Sequence, residues 1–181
     1  MTAQATPEIM WAGKFITAKR DGRWEYVSRS RGIRAAVIIA VDERGLGAPC
    51  LILVEQYRVP LGKSCLELPA GLVGDGAGTE DEEAETAAIR ELEEETGYHA
   101  AQMENLGEFY SSPGLVSESF TLFRARDLTR VHDGGGTEGE NIIVHRVPLS
   151  EVRAYVEARR AEGMALDVKL MIALGGEFLG S

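Results

Sequence analysis

Residues 90–97 read RELEEETG, an arginine followed by four glutamates, Glu91, Glu93, Glu94 and Glu95, just ahead of Gly97. The stretch reads as the end of a helix that starts near Thr79 or Glu80. Thr79 suits the N-cap, the first turn is acidic as the macrodipole favours, and Gly97 suits the position just past the end. At about 100° per residue, Glu91 and Glu95 stand one turn apart on one side. Glu94 is within reach of Glu91 at the three-residue spacing. Ala84, Ala87 and Ala88 project near the same arc and let the helix sit close against another element, while Ile89 and Leu92 supply apolar bulk. The glutamates therefore point partly inward. Carboxylates in the last turns oppose the negative end of the helix dipole at about 0.3–1 kcal/mol each, and Arg90 offsets only part of this. A solvated acidic face is the plainer account of such charge. Its place at the unfavourable helix end, beside alanines and a glycine-rich loop, points instead to a bound divalent cation. Mg²⁺ takes carboxylate oxygens and keeps waters for substrate phosphates.

The rest of the chain fits that reading. Its 181 residues suffice for one domain with a real core. A formal charge of −10 argues against binding nucleic acid or an anionic membrane, and a polyanionic substrate would need cations brought in locally. Cys50 and Cys65 lie in apolar, strand-like runs and read as reduced core residues of a cytoplasmic chain. The opening MTAQATPEIMWAGKF lacks a signal-peptide pattern, and no apolar run is long enough to span a membrane.

Short β-rich runs fill the first half: GKFITAK, RWEYVSR, RAAVIIAV and CLILVEQYR, with RDG marking a hairpin between the first two. LELPAG reads as a short strand entering a loop. After the acidic helix come strands in MENLGEFYSS, ESFTLFRARDL and NIIVHRVPL, with HDGGGTEGE expected as a mobile loop. Helices from Ser150 to about Ala161 and from Leu166 to Leu174 close the chain. Such an order predicts an α/β protein, a mixed sheet packed between helices.

RELEEETGY, with Glu82 at its spacing ahead of Arg90, resembles the signature of the Nudix hydrolases. Gly71 of ELPAG matches the opening glycine through a longer spacer, GDGAGTED, although Gly76 satisfies the literal spacing. The resemblance implies an α/β/α sandwich over residues 31–181. Residues 1–30 would be an added antiparallel β-strand unit at a dimer interface, where Trp11 and Phe15 could pack. It implies Mg²⁺, with Mn²⁺ as a possible substitute, bound by Glu82, Glu91, Glu94, Glu95 and the backbone carbonyl of Ala70, with Arg90 holding the carboxylates by charged hydrogen bonds.

Within the family, Pro113 in SSPGLVSE, together with EQYRVP and ELPAG, resembles the ADP-ribose pyrophosphatases. That implies hydrolysis of ADP-ribose to AMP and ribose 5-phosphate by a homodimer. GTEGENIIVH is similar to the loop carrying the catalytic base, with Glu140 the best match and Glu138 second. By the same resemblance Trp24 would stack on adenine, Arg29 and Arg58 would pair with phosphates or the terminal ribose, and Glu118 would touch a ribose hydroxyl. A pyrophosphatase of GDP-mannose or another nucleotide sugar shares much of the pattern. A non-catalytic ADP-ribose sensor would lose signature glutamates and gain a basic DNA-binding module, and an acidic Ca²⁺-binding or interaction domain would not need Arg90 and Gly97 at fixed positions.

Overall fold

The computed structural model describes residues 6–30, 34–45, 47–74, 82–137 and 139–175. Three strands form an antiparallel sheet of their own: β1 (Glu8–Ala12), β2 (Ile16–Asp21) and β3 (Trp24–Arg29). The RDG hairpin is present, with Asp21 opposite Trp24. GKFITAK is not one strand, because the Gly13 N–H donates to the Ile16 carbonyl and turns the chain. β1 precedes that turn and was not foreseen. It is exposed along its whole length, so it lacks the apolar alternation that makes a half-buried strand legible.

Eight strands make the main sheet: β4 (Ala35–Asp42), β5 (Cys50–Arg58), β6 (Lys63–Glu67), β7 (Ala70–Leu72), β8 (Tyr98–Tyr110), β9 (Ser119–Arg130), β10 (Ile143–Pro148) and β11 (Ala165–Leu166). The helices are α1 (Ala84–Thr96), α2 (Val152–Ala161) and α3 (Lys169–Leu174). The order runs β11-β6-β5-β4-β9-β8, with β10 on β5 and β7 on β4. β4 lies parallel to β9 and β6 parallel to β11, while the other neighbours are antiparallel.

β4 explains the layers. Its apolar run is nearly continuous, as in strands covered on both faces. Val37 and Ile39 join a core with Val152 and Val156 of α2 and Leu170 and Ala173 of α3. Ala36, Ile38 and Ala40 join another with Ala88 and Leu92 of α1. The two-residue side-chain period of a strand thus buries both faces under helices, each large side chain contributing about 1.5–3 kcal/mol. This is the expected α/β/α arrangement.

The sheet also splits. β5 pairs with β4 only through Val41–Leu51 and Asp42–Cys50. Toward its other end β4 pairs with β7 at Ala35–Val37, while β5 continues alongside β6 from Val54 to Arg58. The residues that flank this parting line the cavity described below.

Several boundaries differ from expectation. α1 starts at Ala84 after Glu83, whose side chain makes no cap bond; Thr79, Glu80 and Gly76 lie outside the described residues. β8 starts at Tyr98 rather than near Met103, directly after the helix-ending glycine. α2 starts at Val152 and α3 at Lys169, the latter because Ala165–Leu166 is held as a strand by β6. Cys50 and Cys65 are buried free thiols. Among the described residues no helix is long and apolar enough to cross a membrane.

Candidate active site

The acidic helix ends as its sequence predicts. Gly97 adopts φ 75°, and its N–H donates to the Glu93 carbonyl at 2.8 Å. A β-carbon on Gly97 would collide with the backbone of His132, so this glycine serves both the turn and the approach of a second segment. That segment is the HDGGGTEGE run. Its Gly135 N–H donates to the Glu95 carbonyl at 2.9 Å and its Gly136 N–H to the Glu94 carbonyl at 3.0 Å. The expectation of a mobile loop is corrected here: residues 134–136 cap the helix, satisfying carbonyls that a helix end leaves open. Glu140 is drawn in with them, accepting hydrogen bonds from the Thr137 N–H at 2.6 Å and the Thr137 hydroxyl at 2.9 Å. Glu138 lies outside the described residues.

On α1, Arg90 is the hub. Its guanidinium donates to Glu82 at 3.2 and 3.1 Å, to Glu91 at 2.8 Å and to Glu94 at 3.2 Å. The hydrogen bonds from Arg90, more than its bare charge, hold the Glu82 carboxyl below the usual carboxylate range. Glu95 is different. Its side chain is buried, and burial pushes its pKa up to about 8 against the opposing effect of the Ala70 N–H, which donates to it at 3.0 Å; the charges of Glu91 and Glu140 push the same way as burial. Gly71 packs directly on Glu91, where any β-carbon would overlap the carboxyl group. The glycine of ELPAG is therefore required by close approach, which favours Gly71 in its pairing with the helix.

These elements border one cavity of about 590 Å³, within the range of small-molecule sites. Glu91, Glu95, Ala70 and Gly71 line the helix side, and Glu140 also lines it. Arg29, Arg58 and Glu118 lie in the same cavity. Arg29 pairs with Glu118, joining β3 to the loop before β9. The same junction is fastened by the Val27 N–H to the Leu115 carbonyl at 2.9 Å and the Ser117 N–H to the Val27 carbonyl at 3.0 Å. Pro113 sits exposed in the turn closed by the Val116 N–H on the Ser112 carbonyl, outside the cavity lining. Trp24 is 57% exposed on the separate sheet and does not line the cavity of its own chain. Glu82, Glu94 and Arg90 are not among the lining residues and belong to the ion-pair group that includes Glu91.

The sequence did not reveal the wall that Glu67, Asp167 and Lys169 contribute. Arg58 donates to Glu67 through Nε at 2.6 Å and a terminal nitrogen at 2.9 Å, a bidentate pair. Glu67 is buried in an apolar strand, and a lone carboxylate within CLEL was the signal available. Asp167 and Lys169 carried no comparable signal. Cys65 lines the same wall, its thiol pushed up to about 12 by burial and by the nearby Glu67 and Asp167 charges, so it stays protonated and unreactive.

The donors suit a hard divalent cation. Among the described residues no three acidic or other ligating side chains form a closed ligand group, and Arg90 stands between Glu82, Glu91 and Glu94. The available donors are nonetheless all oxygens, from carboxylates concentrated around one helix, with Gly71 leaving Glu91 room beside β7. That donor chemistry matches Mg²⁺ or Ca²⁺ rather than a soft metal.

Fold and site together define a mixed-sheet α/β/α protein with a carboxylate-lined cavity at the edge of a helix. The family profile of the NUDIX domain matches residues 31–166, and the chain belongs to the Nudix hydrolase family. A methanol dehydrogenase activator of Bacillus methanolicus is 35% identical over 159 residues, 87% of this chain and 75% of that one. An ADP-sugar pyrophosphatase of Mus musculus is 43% identical over 159 residues, 81% of this chain and 70% of that one. A crystal structure of an ADP compounds hydrolase shares the fold, with a TM-score of 0.61 at 22% identity over 87% of this chain and 86% of that one.

Proposed function

We propose that this protein is a Mg²⁺-dependent ADP-ribose pyrophosphatase, yielding AMP and ribose 5-phosphate. The observation that carries the reading is one cavity bordered by the helix carboxylates Glu91 and Glu95, the cation Arg58 and the loop carboxylate Glu140. Similarity to an ADP-sugar pyrophosphatase supports the substrate class. Glu82, Glu91, Glu94, Glu95 and the Ala70 carbonyl would hold the metal, with Arg90 keeping the carboxylates in place. When bound, Mg²⁺ would neutralise diphosphate oxygens and make a water more acidic. Glu140 accepts the proton as water adds across the diphosphate bridge and one bridging phosphorus–oxygen bond breaks. Arg58 and Arg29 orient the diphosphate or terminal ribose, and Glu118 accepts from a ribose hydroxyl.

We also propose a homodimer in the cytoplasm, with residues 1–30 as the interface unit and 31–181 as the hydrolase domain. Ile9, Met10, Trp11 and Phe15 are exposed apolar side chains on that unit, a concentration typical of a contact surface. In this arrangement Trp24 stacks on adenine in the partner's cavity, and Pro113 shapes the junction next to β3. Sedimentation should give twice the chain mass; a monomer at working concentration would remove the dimer and Trp24 together.

Turnover of ADP-ribose and GDP-mannose, each with Mg²⁺ and with chelator, tests the main reading. Chelator-sensitive preference for ADP-ribose is the expected result. Preference for GDP-mannose would keep the hydrolysis and overturn the adenine site, and chelator-resistant turnover would overturn the metal assignment.

A further inference from the structure

The cavity is also lined by an ion pair that the reaction described above does not use. Asp167 accepts from the backbone N–H of Lys169 at 2.7 Å and from its ammonium at 2.5 Å. Asp167 is itself fixed, its own N–H donating to the Leu66 carbonyl at 3.0 Å where β11 pairs with β6. Both side chains are largely buried, with 17% and 18% exposure, and both line the cavity. The ammonium also lies 5.9 Å from the ring of Phe120, another lining residue. We propose that Lys169 is a substrate-binding residue which, with Asp167, receives the vicinal hydroxyls of a substrate sugar, Asp167 also acting as its positioning residue.

The choice of a sugar over a phosphate follows from the pair's chemistry. A hydroxyl both donates and accepts, a carboxylate only accepts, and an ammonium only donates through three protons. Asp167 takes one of those protons, which leaves donors beside an acceptor, the pattern a diol completes. A phosphate only accepts and would meet the Asp167 charge at close range, where like charges disfavour each other. Hydrogen bonds already hold the pair in place, which lowers the ordering needed on binding.

The inference rests on the nucleotide-sugar reading and separates from it in one substrate panel. The panel contains ADP-ribose, ADP methyl ester, which lacks the terminal sugar, and ADP-ribose with a 2′,3′-dideoxy adenosine. Wild-type turnover of ADP-ribose reports on the parent reading alone. If only GDP-mannose is cleaved, the same panel is built on it, and cleavage of neither overturns both readings. With Lys169→Met, loss of a charge-assisted hydrogen bond should raise the KM for ADP-ribose about tenfold with a smaller change in kcat. If the terminal sugar is the one held, the ratio of KM values for ADP-ribose and ADP methyl ester rises by that factor. If the adenosine ribose is held, the ratio for ADP-ribose and its dideoxy form rises instead. An equal rise on all three substrates would mean a phosphate contact and overturn the proposal, as would no rise at all. Asp167→Asn should shift the same ratio in the same direction. Should Lys169→Met fail to fold, Lys169→Gln, which keeps a donor but no charge, is read on the same panel by the same criteria.

Discussion

The two sides of the cavity are built by different rules. On the helix side, one arginine serves three carboxylates, Glu82, Glu91 and Glu94, and Glu95 stands buried beside them. Elsewhere in the lining each cation has its own carboxylate: Arg58 with Glu67, Lys169 with Asp167, and Arg29 with Glu118. The first arrangement sets more carboxylates than cations side by side, and in the proposed function a divalent cation would offset that charge. The second is balanced, with each cation beside a carboxylate, which offers donors next to acceptors for the diphosphate and sugar parts of a ligand. In the proposed function, metal binding and rate belong to the first group and recognition to the second.

The sharpest way to break that division is Glu94→Gln. It should fold, keep its thermal midpoint within a few degrees, and lose on the order of 10³-fold in Mg²⁺-dependent kcat, as expected when charge stabilisation of several kcal/mol is removed. Near-normal turnover would take Glu94 out of the metal-binding group. Glu140→Gln comes next. Loss of a general base should lower kcat by about 10²-fold, while the Mg²⁺ concentration giving half activity stays where it was. If that concentration rises instead, Glu140 belongs with the metal-binding carboxylates. Glu67→Gln tests the other wall and should have the smallest effect. It keeps the shape but weakens the bidentate hold on Arg58, so KM should rise several-fold with kcat nearly constant, in line with the modest net worth of a charge-assisted hydrogen bond. A fall in kcat matching that of Glu140→Gln would erase the distinction between the two sides.

How far each side could be read in advance follows the same division. Helical spacing alone put Glu91 and Glu95 on one side and the alanines beneath them, and Ala87 and Ala88 are indeed fully buried. RAAVIIAV likewise reads as a strand, and β4 occupies Ala35–Asp42; its burial on both faces shows only in the packing. In residues 134–136 the glycines signal both freedom and close packing, and only the neighbouring backbone at the end of α1 distinguishes the two. β1 was missed because an exposed strand has no periodic signature.

From the sequence by itself came the acidic helix, its stop at Gly97, the mixed sheet between helices and the family resemblance carried by RELEEETGY. These features depend on residues a few positions apart, where helix and strand periods set the geometry. Only the tertiary structure decided that Arg29 would meet Glu118, 89 residues away, that Gly71 would lie against Glu91, and that Asp167 and Lys169 would complete the cavity. Those meetings depend on where β4 and β5 part and on how β6 captures the segment after α2. Such long-range pairings are settled by the packing of the whole chain, and no local period records them.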